Sequence, residues 1–143
     1  MIRRLFDPKN IPKLVAYGRL WHQRSAMRDL PFSAERCNTL LRGAFMSQED
    51  QAVWAAFDDK KVRGVLVGAI CAYPFFEACY ATDIVFIADR EGDALFRSFK
   101  QWAKSHGADA LQMGVTSGLP QAERFYEAQG FQRVGGIYFS ALP

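Results

Sequence analysis

The stretch AERFYEAQGF, residues 122–131, decides how the last third of this sequence folds. Ala122, Phe125 and Tyr126 recur at helical spacing and form one apolar face, which predicts a short helix from about Pro120 with that face towards a sheet. Gly130 is typical of the stop at the C-terminus of a helix. The segments around this stretch should therefore supply the strands on which the helix packs.

Two strands and a longer helix are predicted before that stretch. Residues 82–88 contain a continuous apolar block, which is typical of a strand in the centre of a sheet. From Gly92 to Gly107 the apolar residues follow helical spacing, and residues 108–115 then alternate as a strand does. A right-handed crossover would make the two strands parallel neighbours.

The two ends of the chain complete the predicted fold. Residues 131–134 and 137–141 are predicted as closing strands on either side of a Gly-Gly pair. In the first half, Asp7 with Pro8 marks the start of a helix to about Arg24, and Ser33 opens a second helix.

A β-hairpin follows these helices, because residues 53–57 and 64–72 are β-rich runs around a charged turn. The order of elements is helix, helix, three strands, helix, strand, helix and two strands. It indicates an α/β (α+β) fold with a mixed central sheet and about four flanking helices, and residues 1–143 are interpreted as a single domain.

Composition excludes several classes of protein. Half of the residues are apolar or aromatic, so a core can form, and no apolar run approaches the roughly 20 residues of a membrane-spanning helix. The N-terminus shows no apolar export signal, so we expect a cytoplasmic protein. The net charge of +3 is modest and scattered, which argues against a nucleic-acid partner.

The cysteines do not suggest a metal site. Cys37, Cys71 and Cys79 form an odd set without a C-x-x-C pair, and His22 and His106 are the histidines that could join them. We interpret all three cysteines as reduced thiols and expect no metal.

Residues 122–131 resemble the A-x-x-F-Y-E-x-x-G-F signature of the GNAT acetyltransferases. Residues 96–107 are similar to the third helix of that superfamily. Residues 74–76 together with 81–87 resemble a subgroup encoded by bacteriophages. The resemblance covers nearly the whole chain and implies the GNAT fold.

The resemblance also implies where acetyl-CoA, the co-substrate of the family, would bind. In the family it enters a splay between the two central parallel strands, which here are residues 82–88 and 108–115. The pantetheine pairs with exposed strand backbone, and the pyrophosphate lies at the start of the following helix. The matching positions are Phe86, Ile87, Arg90, Glu91, Gly92, Asp93 and Ala94.

The loop DREGD, residues 89–93, departs from the Q/R-x-x-G-x-G/A pattern of the family. Three acids and one base give it a net charge of −2 where a pyrophosphate would lie, and like charges repel. One alternative is that Asp89 or Asp93 caps the helix and occupies the donors that acetyl-CoA would use. Leu119 also replaces an asparagine that helps to place the cofactor in the family.

Several side chains receive roles from the resemblance. Tyr126 matches a tyrosine that donates a proton to the departing CoA thiolate, with packing in the core as the alternative. Glu77, in the loop before the central strand, is the candidate base for an amine acceptor. Phe75, Phe76 and Tyr80 are candidates for the wall of an acceptor pocket, with core packing again the alternative.

Two functions are consistent with these observations. The first is an N-acetyltransferase that moves an acetyl group from acetyl-CoA to a primary amine by direct attack, without a metal. The second is a catalytically inactive GNAT-fold binding or structural protein, such as a component of a phage particle, with a degenerate CoA loop. A homodimer or virion proteins are the macromolecular partners that these alternatives suggest.

Overall fold

The chain forms a five-stranded sheet covered by helices, as seen in a computed structural model that describes residues 1–115 and 120–143. The strands are β1 (Ile2–Leu5), β2 (Gln51–Asp58), β3 (Lys61–Ala72), β4 (Cys79–Ala88) and β5 (Ala110–Gln112). The helices are α1 (Ile11–Arg24), α2 (Ala34–Met46), α3 (Gly92–Ser105) and α4 (Pro120–Ala128), and a 3₁₀ turn at Pro8–Asn10 precedes α1. The predicted α/β class is confirmed.

The sheet is mixed, and its order is β1-β2-β3-β4-β5. The pairs from β1 to β4 are antiparallel, whereas β5 lies parallel to β4. The predicted hairpin is therefore confirmed as β2 and β3. The strand predicted at residues 82–88 is present within β4, but the prediction that it is central is wrong, because β3 is the middle strand and β5 covers β4 only as far as Thr82. Its continuous apolar run instead reflects the two cores, which cover both faces of β4. The sequence did not predict β1, a four-residue edge strand that pairs with β2.

One of the two predicted capping signals marks its helix directly. The side chain of Ser33 accepts a hydrogen bond from the Arg36 N–H at 3.1 Å and caps α2. That of Asp7 accepts from the Lys9 N–H at 2.8 Å and caps the 3₁₀ turn, whereas α1 begins after it at Ile11, with Asn10 as an N-cap residue that makes no side-chain hydrogen bond. Gly107 follows α3 with a φ of +80°, the left-handed conformation that glycine adopts without strain.

Two cores lie on opposite faces of the sheet. In the first, α1 and α2 pack on the face of the sheet that includes Val53 and Val67. In the second, α3 packs on the face that includes Trp54 and Leu66, and Phe125 and Tyr126 of α4 pack at its edge. The strands that separate, β4 and β5, lie at one side of the sheet, and α3 and α4 pack on the second core beside them.

The predicted closing strands are wrong. Residues 131–143 contain no strand, and most of their side chains are exposed, with Val134 at 87% and Tyr138 at 99%. Their β-rich composition was a local signal. A strand also needs the edge of another strand to pair with, and β5 is only three residues long. In addition, the Gly-Gly pair at 135–136 lowers the preference of this segment for extended structure.

Candidate active site

The two parallel strands separate after a short paired segment. Thr82 pairs with Gln112, and β5 ends there, whereas β4 continues to Ala88. Among the residues that the structure describes, no strand pairs with this side of β4 beyond Thr82. A splay therefore opens between the second half of β4 and the residues after β5.

A β-bulge in β4 coincides with the start of the splay. On β3, Val67 pairs with Val85 and Gly68 pairs with Asp83, so Ile84 is an extra residue in β4. A bulge of this kind bends its strand and redirects the neighbouring side chains. Asp83 consequently lies at the point where β4 and β5 part.

Asp83 bridges the splay at its narrow end. Its Oδ1 accepts a hydrogen bond from the Gly114 N–H at 3.1 Å. Burial raises the pKa of the Asp83 carboxyl, and the bond from Gly114 opposes this rise without cancelling it. A carboxyl of this kind can exchange a proton nearer to neutral pH than an exposed aspartate can.

Sequence reasoning missed Asp83. The available signal was a lone acid at the start of an apolar central strand, TDIVFIA at residues 82–88. Its electrostatic surroundings depend on the bulge and on Gly114, which lies 31 residues further along the chain.

Tyr126 lies beside the same splay, on α4. Its ring packs against Phe131, Phe125 and Phe96, with ring centroids 5.4, 5.5 and 6.4 Å away. Burial raises the pKa of the Tyr126 phenol, and the negative charge of Asp83 raises it further. The phenol and the carboxyl are therefore electrostatically coupled, and the phenol stays protonated at neutral pH.

The start of α3 has no side-chain cap. Glu91 is the N-cap residue, in the left-handed conformation with a φ of +58°, and its side chain makes no capping hydrogen bond. The alternative in which Asp89 or Asp93 caps α3 is wrong. Asp89 instead lies 2.9 Å from the Tyr17 hydroxyl, and Asp93 lies 3.3 Å from Arg97.

Each acid of the 89–93 loop has a cationic partner. Asp89 lies 3.3 Å from Arg24, Glu91 lies 2.8 Å from the N-terminal amine, and Asp93 pairs with Arg97 one helical turn away. The charge of −2 counted along the loop is thus compensated in space. Two of these partners, Arg24 and the N-terminal amine, are distant in sequence from the loop. The charges counted along the loop alone therefore gave a misleading estimate of the electrostatic potential at the start of α3.

A side chain at the first position of α3 would be tolerated without strain. A Cβ added to Gly92 would lie 3.5 Å from the Ala88 Cβ and 3.9 Å from the Phe86 ring, which are ordinary contact distances. The start of α3 therefore combines N–H groups without a side-chain cap with acids that are compensated by cations, an arrangement that does not repel an anion.

The profile of the acetyltransferase (GNAT) family matches residues 17–131. This chain belongs to the GNAT family. No curated protein shows significant similarity to it.

Several solved structures share the GNAT fold of the chain. A point mutant of the BH1408 protein from Bacillus halodurans is 16% identical, with a TM-score of 0.77 over 100% of this chain and 99% of the other. A transcriptional regulator from Bacillus halodurans is 16% identical, with a TM-score of 0.77 over 99% of both chains. The aminoglycoside acetyltransferase meta-AAC0020, from an uncultured soil metagenomic sample and in complex with sisomicin, is 18% identical, with a TM-score of 0.68 over 99% and 96%. At these identities the likeness shows the fold.

Phe86 and Ile87 lie in the second half of β4, where the edge that faces away from β3 has no partner strand among the described residues. The Phe86 ring packs edge-on against Phe125, with 6.0 Å between centroids. Ile87 faces the opposite core, where it lines an apolar cavity of about 220 Å³ beneath α1 and α2. Their side chains are packed on the two faces, so their backbone edge is the part that a pantetheine could approach.

Glu77 and the predicted acceptor wall lie at the other end of β4. Phe75 and Phe76 are 88% and 67% exposed in the loop between β3 and β4, and Tyr80 pairs with Ala110 where the strands are still joined. From the start of β4 at Cys79, the strand runs about 13 Å before it reaches Asp83. The structure therefore does not bring Glu77 close to Tyr126.

Three remaining points concern Leu119, metal ligands and membrane-spanning helices. Leu119 lies outside the described residues. Within residues 1–115 and 120–143, no three His, Cys, Asp or Glu side chains are placed to hold a metal ion. No helix in that part of the chain is long and apolar enough to cross a membrane.

Proposed function

We propose that this chain is an N-acetyltransferase that moves an acetyl group from acetyl-CoA to a primary amine by direct attack. Family membership supports acetyl transfer in general. The observation that carries the specific proposal is the pair of coupled groups at the splay, the Asp83 carboxyl and the Tyr126 phenol. The carboxyl can hold a proton at a higher pH than an exposed aspartate can, and the phenol keeps a proton to donate.

Acetyl-CoA would lie along the unpaired edge of β4. The pyrophosphate would lie beside the segment Arg90, Glu91, Gly92, Asp93 and Ala94. It would accept hydrogen bonds from the first N–H groups of α3, which begins at Gly92, while the Arg90 N–H is already bonded to the Arg63 carbonyl at 3.2 Å. The pantetheine would then follow the backbone of Phe86 and Ile87 towards the bulge. The absence of a capping hydrogen bond from the Glu91 side chain supports this placement.

The proposed reaction uses three proton transfers. The lone pair of the neutral amine attacks the thioester carbonyl carbon, and Asp83 accepts the proton that the nitrogen then releases. The carbon–sulfur bond breaks with its electron pair on sulfur, and Tyr126 donates its proton to that thiolate. Transfer of the proton from Asp83 back to Tyr126 restores both groups, and the products are the amide and free CoA.

The acceptor amine is the next part of the proposal. One neighbour with the same fold is an aminoglycoside acetyltransferase in complex with sisomicin, so compounds with several amino groups are the first acceptors to test. Glu77, Phe75, Phe76 and Tyr80 lie too far along β4 for proton transfer at Asp83. We propose that they contact the far end of a long acceptor.

Calorimetry and a thiol-release assay test this function. Acetyl-CoA should bind with micromolar affinity and raise the melting temperature, as any ligand specific to the native state does. Sisomicin and simple diamines should then release CoA, and Asp83→Asn should still bind acetyl-CoA while turnover falls. Binding heat without turnover on any amine would contradict the acetyltransferase proposal and would indicate a protein that only binds CoA.

A second candidate is favoured by one observation, the loop 89–93, which lacks the glycine pattern of the family. It is a GNAT-fold binding or structural protein without CoA, for which a phage particle is one setting and the cytoplasm another. An absence of both binding heat and thermal shift at millimolar acetyl-CoA would overturn the enzyme and support this candidate.

A further inference from the structure

A basic groove lies beside α1, and one side of it reaches Asp89, the first residue of the 89–93 loop. It has a volume of about 620 Å³ and lies between α1 and the turn that joins β2 to β3. Its charged lining consists of Lys13, Arg24, Lys60, Lys61, Arg63 and Asp89. Five cations against one acid give the lining a net charge of +4.

Internal ion pairs involve two of the five cations, Arg24 and Arg63. Arg24 pairs with Asp89 at 3.3 Å, and Arg63 lies 3.9 Å from an Asp58 carboxylate that Arg90 also approaches at 3.1 Å. In the described part of the chain, no carboxylate lies within 4.0 Å of the Lys60 or Lys61 ammonium. The charges of these two lysines therefore remain available to an anion that enters the groove.

The floor of the groove is mostly apolar, with the Asp89 carboxylate 2.9 Å from the Tyr17 hydroxyl at one side. Ala16, Leu20 and Val62 line it, together with Tyr17, whose hydroxyl accepts a hydrogen bond from the Asp89 N–H at 3.0 Å. Burial raises the pKa of Tyr17 to about 12, so the phenol adds no negative charge at neutral pH. A ligand suited to this groove combines several negative charges with an apolar or planar part.

We propose that the basic groove binds the phosphate groups of a nucleotide. The volume falls within the roughly 300–1,000 Å³ of small-ligand pockets, and the net charge suits a ligand with two or more phosphates. The apolar floor suits the base. This site is separate from Asp83 and Tyr126, and the proposal does not depend on acetyl transfer.

Adenosine 3′,5′-bisphosphate is a suitable probe, because it carries phosphates and a base without pantetheine. The full chain should bind it saturably in calorimetry, more weakly as salt increases because exposed charges are screened. Trp21 provides a second readout, since its ring centroid lies 6.5 Å from that of Tyr17 in the groove floor. Its fluorescence should change with the same midpoint.

Charge reversal tests whether the groove itself is responsible. Lys60→Glu with Lys61→Glu should weaken nucleotide binding about tenfold or more. The matched control is Lys100→Glu with Lys104→Glu on the exposed side of α3, which makes the same change in net charge and should weaken binding less than about twofold. Lys60→Ala with Lys61→Ala should give an intermediate loss, and this pair replaces the first if the reversed charges impair folding.

The source of the nucleotide is decided by repeating the titration with acetyl-CoA. An equal loss of acetyl-CoA affinity in the Lys60 and Lys61 variant would place the nucleotide end of CoA in the groove. An unchanged acetyl-CoA affinity would mean that a separate nucleotide binds there. The proposal is overturned if the wild type shows no saturable nucleotide binding, or if both double variants lose affinity equally. Nucleotide binding without acetyl-CoA binding would count against the proposed enzyme and not against the groove.

Discussion

The Asp83 carboxylate spans the gap between β4 and the residues after β5 by accepting the Gly114 N–H at 3.1 Å. The two strands have just separated at this point, since their last paired residues are Thr82 and Gln112. Burial raises the pKa of a carboxyl that is held here. The fold thus places a buried, proton-exchanging carboxyl at the point where the two parallel strands part.

The first prediction separates Asp83 from Glu77 as the base. Asp83→Asn should lower turnover by about 10²–10⁴-fold, because the amide cannot accept a proton. Glu77→Gln should leave turnover within about twofold, because Glu77 is exposed at the other end of β4. Steady-state rates with one amine would measure both, and the reverse ranking would assign the base to Glu77.

The second prediction concerns the stability of the fold against pH. The pKa of Asp83 is raised in the folded state, so the folded state holds this proton more tightly than the unfolded state does. The resulting contribution to stability is complete below the ordinary pKa of 3.8 and is lost as pH rises through the raised folded value. Asp83→Asn imitates the protonated form at every pH.

Chemical denaturation from pH 4 upwards would test this sign. The free energy of unfolding of the wild type, relative to Asp83→Asn, should fall as pH rises towards 7. A difference that stays constant, or that grows with pH, would show that the hydrogen bond from Gly114 outweighs burial and that the pKa of Asp83 is not raised.

The third prediction tests whether Tyr126 acts in catalysis or only in packing. Tyr126→Phe keeps the ring that packs on Phe96 and Phe131, so the melting temperature should change little. Turnover should fall by about 10²–10⁴-fold if the hydroxyl is the acid. Tyr138→Phe is the control, because Tyr138 is 99% exposed. Equal turnover in both variants would leave Tyr126 with a packing role alone.

The sequence predicted most elements because their signals are local. The Asp7 and Ser33 caps, Gly107 and the apolar face of α3 each depend on residues within one or two turns. The same reasoning failed for residues 131–143 and for β1, because a strand exists only where another strand offers an edge. Residues 131–143 have the composition of strands, but no neighbouring strand offers an edge long enough to pair with them.

The site was less predictable than the fold. Tyr126 was found because it lies within a family signature. Asp83 could be identified only from the structure, because its surroundings depend on the bulge and on Gly114. The negative charge of the 89–93 loop is compensated by Arg24 and the N-terminal amine, which the sequence did not place beside it. Electrostatic fields depend on neighbours in space, so the local count of charges pointed in the wrong direction.

A fourth prediction tests the second core through Trp102, which is 5% exposed and packs on Trp54 with 5.5 Å between centroids. Trp102→Ala should lower the free energy of unfolding by about 3–5 kcal/mol, as large-to-small core changes do. Trp102→Phe should cost much less, since it keeps most of the ring and removes an indole N–H that has no partner among the described residues. Urea denaturation would compare them, and a loss below about 1 kcal/mol for alanine would contradict the burial of this face.

The last prediction uses two glycines with opposite surroundings. Gly68 on β3 pairs with Asp83 at the bulge, and a Cβ added there would lie 2.7 Å from two carbons of the Phe99 ring. Gly68→Ala must therefore move α3 or the bulge, and it should cost about 1–3 kcal/mol. Gly43 in α2 would meet nothing within 4 Å, so Gly43→Ala should gain about 0.5–1 kcal/mol from helix preference. Because Gly68 faces Asp83 across the strand pair, its variant should also lose turnover, whereas Gly43→Ala should keep it. If Gly68→Ala were as stable and as active as the wild type, the close approach of α3 to the sheet would not be what fixes Asp83 at the splay.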